Sequence, residues 1–286
     1  MRVQSEQKRF QTPSYVADVF LDYFNQRVRV ENYRGNIKQI MIVLDQLVDD
    51  HQFTKIIFHA KPEQWTQLLS FGFELEAVFK GYSNGSDQYA MAKYKTNDRR
   101  TSEHWVKEDD ILLDVYQKGR DVKAKELPEE YTFRRAIEKD STKLAELYNK
   151  VFDIYPTPMN EAHYVQKVIQ TGSIFYIVEC KGEIVSAASA DVNRTYHNAE
   201  LTDCATVPEH RKYGLMKKIL QKLEEELKKE QIFCAFSIAR SLSFGMNAVF
   251  YQLGFDYTGR LRKNCYIYDK LEDMNVWVKD LSDFNN

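Results

Sequence analysis

The chain has 286 residues, a formal net charge of −2, 43% hydrophobic residues and 29% charged ones, which is a globular composition long enough for one large domain or two smaller ones. It offers no basic field for nucleic acid and no apolar run long enough to span a bilayer. The start, MRVQSEQKRF, has no apolar core like that of a signal peptide, so a cytoplasmic location is expected.

Cys180, Cys204, Cys234 and Cys265 include no CxxC pair, and three of them lie in apolar, strand-like runs. Reduced thiols are expected rather than disulfides. The six histidines show no metal-ligand spacing, so no metal is expected.

Residues 14–33 alternate polar and apolar positions (VADVFLDYF, then RVRVENY) and read as two strands with a turn near Asn25-Gln26. Residues 36–50 have helical periodicity, and FTKIIFHA is a short buried strand. Pro62 suits the first turn of a helix carrying Trp65, Leu68 and Leu69. Gly72, in FGF, is placed to cap that helix. FELEAVFKGY and QYAMAKYKT form a hairpin around Ser83-Asn84-Gly85-Ser86. This β-β-α-β-α-β-β unit closes near Thr96, and a domain boundary follows, giving an N-terminal α/β domain over 1–98. A linker over 99–129 carries a helix from Ile111 to Lys123.

In the second half, YTFRRAI is a strand, and Asp140 or Ser141 caps a helix with Leu144, Leu147, Tyr148 and Val151 on one face. The turn YPTPMN leads to a second helix ending about Gln170. SIFYIVEC and EIVSAASADVN form a hairpin about Lys181-Gly182. IFCAFSIAR is a strand, Ser243 to Leu253 a helix, and Phe255 to Tyr268 a further hairpin.

Between these lies NAELTDCATVPEHRKYGLMKKILQKLEEEL, residues 198–227. An apolar run ends in a bend at Val207-Pro208-Glu209 and feeds a helix with Met216, Ile219, Leu220, Leu223 and Leu227 on one face. The first amides of that helix have no partner and its dipole makes this end positive, which suits a pyrophosphate. Gly214 lets the backbone approach a phosphate, and Lys217 and Lys218 add charge. An ordinary strand–turn–helix junction remains the alternative, since one glycine is thin evidence.

The segment resembles the acetyl-CoA motif of the GCN5-related N-acetyltransferases, Gln/Arg-x-x-Gly-x-Gly/Ala, with Arg211, Gly214 and Met216 at the three marked positions. Met216 departs from the pattern. The resemblance implies an acetyl-CoA acyltransferase fold, a mixed α/β sheet, over residues 130–286, since the β-α-α-β-β-β-α-β-α-β-β order matches over 130–270. It also implies pyrophosphate contacts from the loop, Arg211, Lys212, Tyr213, Gly214, Leu215 and Met216, and pantetheine contacts from the strand backbone at Ala205, Thr206 and Val207. Residues 1–98 end in helix, FGF and hairpin as the second half ends in helix, LGF and hairpin. They read either as a degenerate copy of the same architecture or as an unrelated α/β domain.

Acetyl transfer needs a base for the ammonium, stabilisation of the thioester oxyanion and an outlet for the thiolate. In histone-type relatives an Ala-Glu-x-x-x-Cys-Ala run carries the general base; Ala199, Glu200, Cys204 and Ala205 match it, which implies Glu200 as the base, directly or through water. The alternative is a glutamate facing solvent at a strand end. Asp203 is the rival, on the opposite strand face unless a bulge intervenes, as it does in family members. Tyr251 matches by position the tyrosine that donates to the thiolate, with a core aromatic as the alternative, and Asn247 one turn earlier is a cofactor hydrogen-bond candidate. Cys204 reads as a packed thiol rather than a nucleophile.

Taken together, TDCATVPEHR, ARSLSFGMN and LGFDYTGRLRKNCYIYDKLEDMNVWVK are similar to the β-lysine N6-acetyltransferases of bacteria and methanogens, and DYFNQRVRV, FTKIIFHAK and the FELEAVFKGYSNGSDQYAMAKY hairpin look like that family's N-terminal region. The resemblance implies acetylation of β-lysine to N6-acetyl-β-lysine, a neutral osmolyte. For such a diamine carboxylate, Asp203, Glu272 and Asp273 are candidate partners of the ammonium groups, and Arg260, Asn264 and Asn275 of the carboxylate. An exposed charged tail is the alternative for Glu272 and Asp273. The residues alone do not separate β-lysine from lysine, ornithine, a polyamine or a protein lysine, and a non-catalytic acetyl-CoA-binding module stands as the alternative class. The expected partner is a small amine, with no nucleic acid and no membrane. The N-terminal domain reads as a substrate cover or a subunit contact, with a homodimer as one outcome.

Overall fold

The computed structural model of the protein describes residues 5–120, 127–153, 157–267 and 270–282. The alternation of the first segments yields β1 (Ser5–Gln11), β2 (Tyr15–Asp22) and β3 (Arg27–Gly35), followed by α1 (Ile37–His51) and β4 (Lys55–Ala60). A short α2 (Trp65–Leu69) precedes the hairpin β5 (Glu74–Ser83) and β6 (Ser86–Tyr94). The expected two-strand opening is thus extended by β1. Gly72 ends α2 in the left-handed region at φ 81°, where its amide and that of Phe73 satisfy the last carbonyls of the helix.

The connecting stretch holds α3 (Asn97–Arg100) and α4 (Trp105–Gln117). The sequence places this helix too late, at Ile111 to Lys123; its residues 121–123 lie outside the described residues. The second half runs β7 (Tyr131–Arg135), α5 (Ser141–Val151), α6 (Ala162–Gln170), β8 (Ile174–Cys180), β9 (Glu183–Asn193), β10 (Asn198–Thr206) and α7 (Leu215–Lys229). It ends with β11 (Cys234–Arg240), α8 (Phe244–Gln252), β12 (Asp256–Ile267) and β13 (Lys270–Asp280). The start of the YPTPMN turn and the expected hairpin end at Tyr268 also lie outside the described residues. The last hairpin is longer than the sequence reading, because Met274, Val276, Trp277 and Val278 make the supposed tail an interior strand.

All thirteen strands join one sheet, in the order β1-β2-β3-β4-β6-β5-β12-β13-β11-β10-β9-β8-β7. Each half contains the same pairing scheme. Three antiparallel strands in the first half and four in the second are followed by a crossover helix and a parallel strand, β3 with β4 and β10 with β11. A hairpin then returns antiparallel to that last strand, β5–β6 on β4 and β12–β13 on β11. Parallel neighbours need such a crossover because a tight turn cannot connect them.

The halves meet hairpin to hairpin. Gly259 of β12 pairs with Ala77 of β5 at φ 146°, and a Cβ there would stand 2.1 Å from the Glu76 carbonyl oxygen. Only glycine allows that approach. Phe79, Phe236, Leu261 and Val276 bury one apolar cluster across this seam. Behind it, Lys55 is fully buried against Glu76 and donates to the Arg262 carbonyl.

The two faces of β3 decide what comes next. Val28 and Val30 pack into the core under α1 with Ile40 and Leu44. Strand alternation sends Arg27, Arg29 and Glu31 to the opposite face. In the second half α7 buries Ile219, Leu220, Leu223 and Leu227 against one sheet face, and α5 and α6 cover the other. Each such side chain contributes about 1.5–3 kcal/mol of apolar burial.

Candidate active site

The site forms where β10 and β11 part. Their parallel pairing is confined to Asn198–Glu200 against Cys234–Phe236. Beyond Glu200, β10 keeps only its β9 neighbour, and that register shifts between Thr202 and Ala205. Asp203 sits in the bulge at φ 50°. One edge of β10 therefore presents backbone groups to a gap instead of to a strand.

At the far end of the gap β10 bends through Pro208–His210 into α7. Gly214 is the helix N-cap at φ 76° and ψ 17°, with no side-chain cap. A Cβ on it would meet nothing within 4 Å, so glycine is needed here for its backbone conformation and the loop faces open space. Arg211 is tied back to the Thr206 carbonyl at 3.1 Å. Lys217 and Lys218 stand in the first turn, where they oppose the helix dipole, and a bound anion would relieve that repulsion.

A cavity of about 1420 Å³ runs along this gap. Its walls include Thr206 and Arg211 through Met216 at one end, and Glu200, Asp203 and Asp191 at the other. Arg27 and Arg29 of the first half, with Asn264, line it too. Burial pushes the Glu200 carboxyl up to about 8, the Asp191 and Asp203 carboxylates push the same way, and the Arg29 and Arg27 guanidiniums pull back. Asp203 accepts from Ser189 Oγ at 2.7 Å. Burial also holds the Cys204 thiol far above its ordinary range, and the four cysteines are unbridged, so Cys204 is a packed thiol. Among the described residues no group of three or more His, Cys, Asp or Glu side chains could hold a metal ion, and no helix is long and apolar enough to cross a membrane.

With this geometry in place the comparisons become informative. Residues 141–255 match the acetyltransferase (GNAT) family. The N-acetyltransferase YodP of Bacillus subtilis is 36% identical over 91% of this chain and 94% of its own length. A β-lysine N(6)-acetyltransferase of Methanosarcina mazei is 33% identical over 87% of this chain and 100% of its own, and one of Methanococcus maripaludis is 29% identical over 89% and 93%. The chain belongs to the GNAT acetyltransferase family. It is an N-acetyltransferase, and enzymes of this family use acetyl-CoA.

Within this GNAT enzyme the cavity gathers Glu200, Asp203, Thr206, Arg211, Lys212, Tyr213, Gly214, Leu215, Met216 and Asn264 of the expected site residues. Ala205 and Val207 instead pack under α5, and the Val207 amide is committed to the Val185 carbonyl. Tyr251 is not on the cavity wall. It packs edge-on against Tyr116 of α4, 5.1 Å between centroids, with Arg120 over its ring. The α8 residues on the wall include Phe244, Gly245, Met246, Val249 and Gln252. Asn247 is fully buried and saturated within the protein. It donates to the Arg240 and Ser243 carbonyls and accepts from Asn275 and Trp277.

Apart from Asn264, the C-terminal substrate candidates lie on the interior strands β12 and β13 with their polar groups engaged within the fold. Arg260 pairs with Glu108 and Asp109 of α4. Glu272 takes a two-pronged contact from Arg240, Asp273 accepts from the Lys263 amide, and Asn275 accepts from Ser241 and Arg260. Sequence reading missed Asp191, Arg27 and Arg29 as wall residues. The signal available for the arginines was RVRVE, charged on every second residue of a strand whose other face is apolar.

Proposed function

We propose that this enzyme acetylates the N6 amine of β-lysine, giving N6-acetyl-β-lysine by direct transfer within a ternary complex. The observation that carries this reading is Glu200, a basic carboxyl set in the cavity wall where β10 leaves β11. Bound acetyl-CoA supplies the thioester carbonyl and a thiol leaving group. The uncapped first-turn amides of α7, with Arg211 and Lys212, hold its pyrophosphate, and the unpaired β10 edge lies along its pantetheine arm.

Glu200 removes a proton from the acceptor ammonium, because only the neutral amine attacks. Its raised basicity narrows the gap to an alkylammonium, whose ordinary pKa is about 10.4. Asp203 and Asp191 attract the cation before it is deprotonated. Tyr251 is not among the α8 residues on the wall, so the thiolate is assigned its proton from water. We also read residues 1–98 as a degenerate copy of the acetyltransferase architecture, followed by a linker over 99–129 and the catalytic domain over 130–286. The shared strand pairing of the halves supports that reading.

The test is thiol release from acetyl-CoA with β-lysine, α-lysine, ornithine, spermidine and a lysine-containing peptide. Rapid release with β-lysine, and a single acetyl on N6 of the product, is expected. Preference for another amine would discard the β-lysine assignment and keep the fold. Tight acetyl-CoA binding without turnover on any amine would move the weight to a sensing role.

A further inference from the structure

The first half does more than cover the catalytic one. Its sheet has an apolar face under α1 and a second face that carries Arg27, Arg29 and Glu31, and this second face closes the acceptor end of the cavity. The cavity there is chemically divided. Carboxylates of β9 and β10 (Asp191, Glu200, Asp203) stand on one side and guanidiniums of β3 on the other. A diamine without a carboxylate would satisfy only the first group.

The two arginines differ. Arg27 is committed: its Nε donates to Asp22 at 2.8 Å, and its Nη1 to the carbonyl and side-chain oxygens of Asn264 at 2.8 and 2.7 Å. Arg29 has its Nε on Glu31 at 2.9 Å and its guanidinium 4.6 Å above the Phe20 ring. The Glu31 approach is an ion pair without a hydrogen bond, and among the described residues neither Nη group has a hydrogen-bond partner. A guanidinium with two free donors is the geometry that grips a carboxylate in two-pronged fashion.

Resting on the acceptor reading above, we propose that Arg29 binds the carboxylate of the acceptor. The first half thereby restricts this enzyme to amino acids whose reactive amine lies at the far end from the carboxylate. Arg27 holds Asn264 in the wall and adds positive field. Both guanidiniums are felt at Glu200, whose carboxyl they pull downward against burial, so the two ends of the acceptor site share one electrostatic environment.

The experiment compares β-lysine with 1,4-diaminopentane, the same diamine without its carboxylate, in wild type, Arg29→Met and Arg29→Lys. The readout is the ratio of kcat/KM for the two acceptors within each protein, with acetyl-CoA affinity measured alongside. Wild type is expected to favour β-lysine by about 100-fold, and Arg29→Met to collapse that ratio at least tenfold through the KM for β-lysine. Arg29→Lys should recover part of it, since charge survives without the planar fork. A wild-type ratio near one, or an equal loss on both acceptors in Arg29→Met, would overturn the carboxylate assignment while leaving the acetyltransferase reading intact. Absence of turnover on either acceptor in wild type would remove the function proposal and this inference together.

Discussion

Two helices in this molecule have the same length, the same place in the topology and opposite uses. α1 and α7 each span fifteen residues and each carries the chain between parallel strands. At α1 the Asn36 side chain accepts from the Gln39 amide at 3.3 Å, and the Asn36 amide donates to the Ser14 carbonyl at 3.0 Å. Gly35 lies so close that a Cβ would sit 2.2 Å from the Ser14 oxygen. The end of the helix is filled by its own chain. At α7 no side chain caps the first turn and the space over Gly214 is open. A crossover helix keeps its first-turn amides open only when nothing in its own chain claims them, and the claimant at α1 is one asparagine and one tight turn.

Glu200→Gln, at the end of the cavity away from α7, has the largest expected effect. We expect kcat/KM to fall about 100- to 10,000-fold, with loss of an acid limb near pH 8, read in pH–rate profiles. The same variant should be more stable than wild type above that pH. The folded pKa of about 8 exceeds the ordinary 4.5, so the folded state retains a proton that the unfolded state has released, and stability drains as pH rises between those values. Melting curves at pH 6 and 9 check the sign; equal melting temperatures for both proteins at pH 9 would contradict it.

Gly214→Glu strikes the anion end. A side chain at φ 76° is strained and its charge repels a pyrophosphate, so acetyl-CoA affinity should drop about 100-fold in calorimetry, with the helical signal kept. The wild-type titration should give one acetyl-CoA per chain; two would erase the contrast between the helices. Gly259→Ala tests whether the halves are truly one sheet. The clash with Glu76 should cost about 3 kcal/mol or more in denaturant unfolding, and a cost below 1 kcal/mol would deny the tight seam. The smallest effect belongs to Asn36→Ala. Losing the cap at α1 should cost about 1 kcal/mol and leave one acetyl-CoA per chain, since Gly35 still packs on Ser14.

Local pattern carried most of the fold. Alternation, capping and the two Gly-Phe turns each depend on residues near in sequence, and the elements of both halves followed from them. The bend and the uncapped start of α7 were legible because Gly214 and the preceding bend lie within one short segment. What failed depended on distant partners. Glu272, Asp273 and Asn275 look like an exposed tail until β11 and β12 flank them on both sides. Tyr251 lies on a helix with other residues that line the cavity, and only the packing of α4 on α8 turns its ring against Tyr116 instead. Arg29 comes to line the cavity through the folding of one half's sheet over the other's gap, a relation that no spacing in the sequence expresses.

The seam at Gly259 and Ala77 also bears on how the chain would behave if it were cut. Each half ends in a hairpin whose outer strand, β5 or β12, finds its neighbour in the other half. Released alone, either half would carry an uncovered strand edge beside the apolar patch of Phe79 or of Phe236 and Leu261. Such edges recruit other strands. The split halves would therefore be sticky pieces, each prone to self-association, and joining them in one chain supplies every copy with the neighbour that silences its edge.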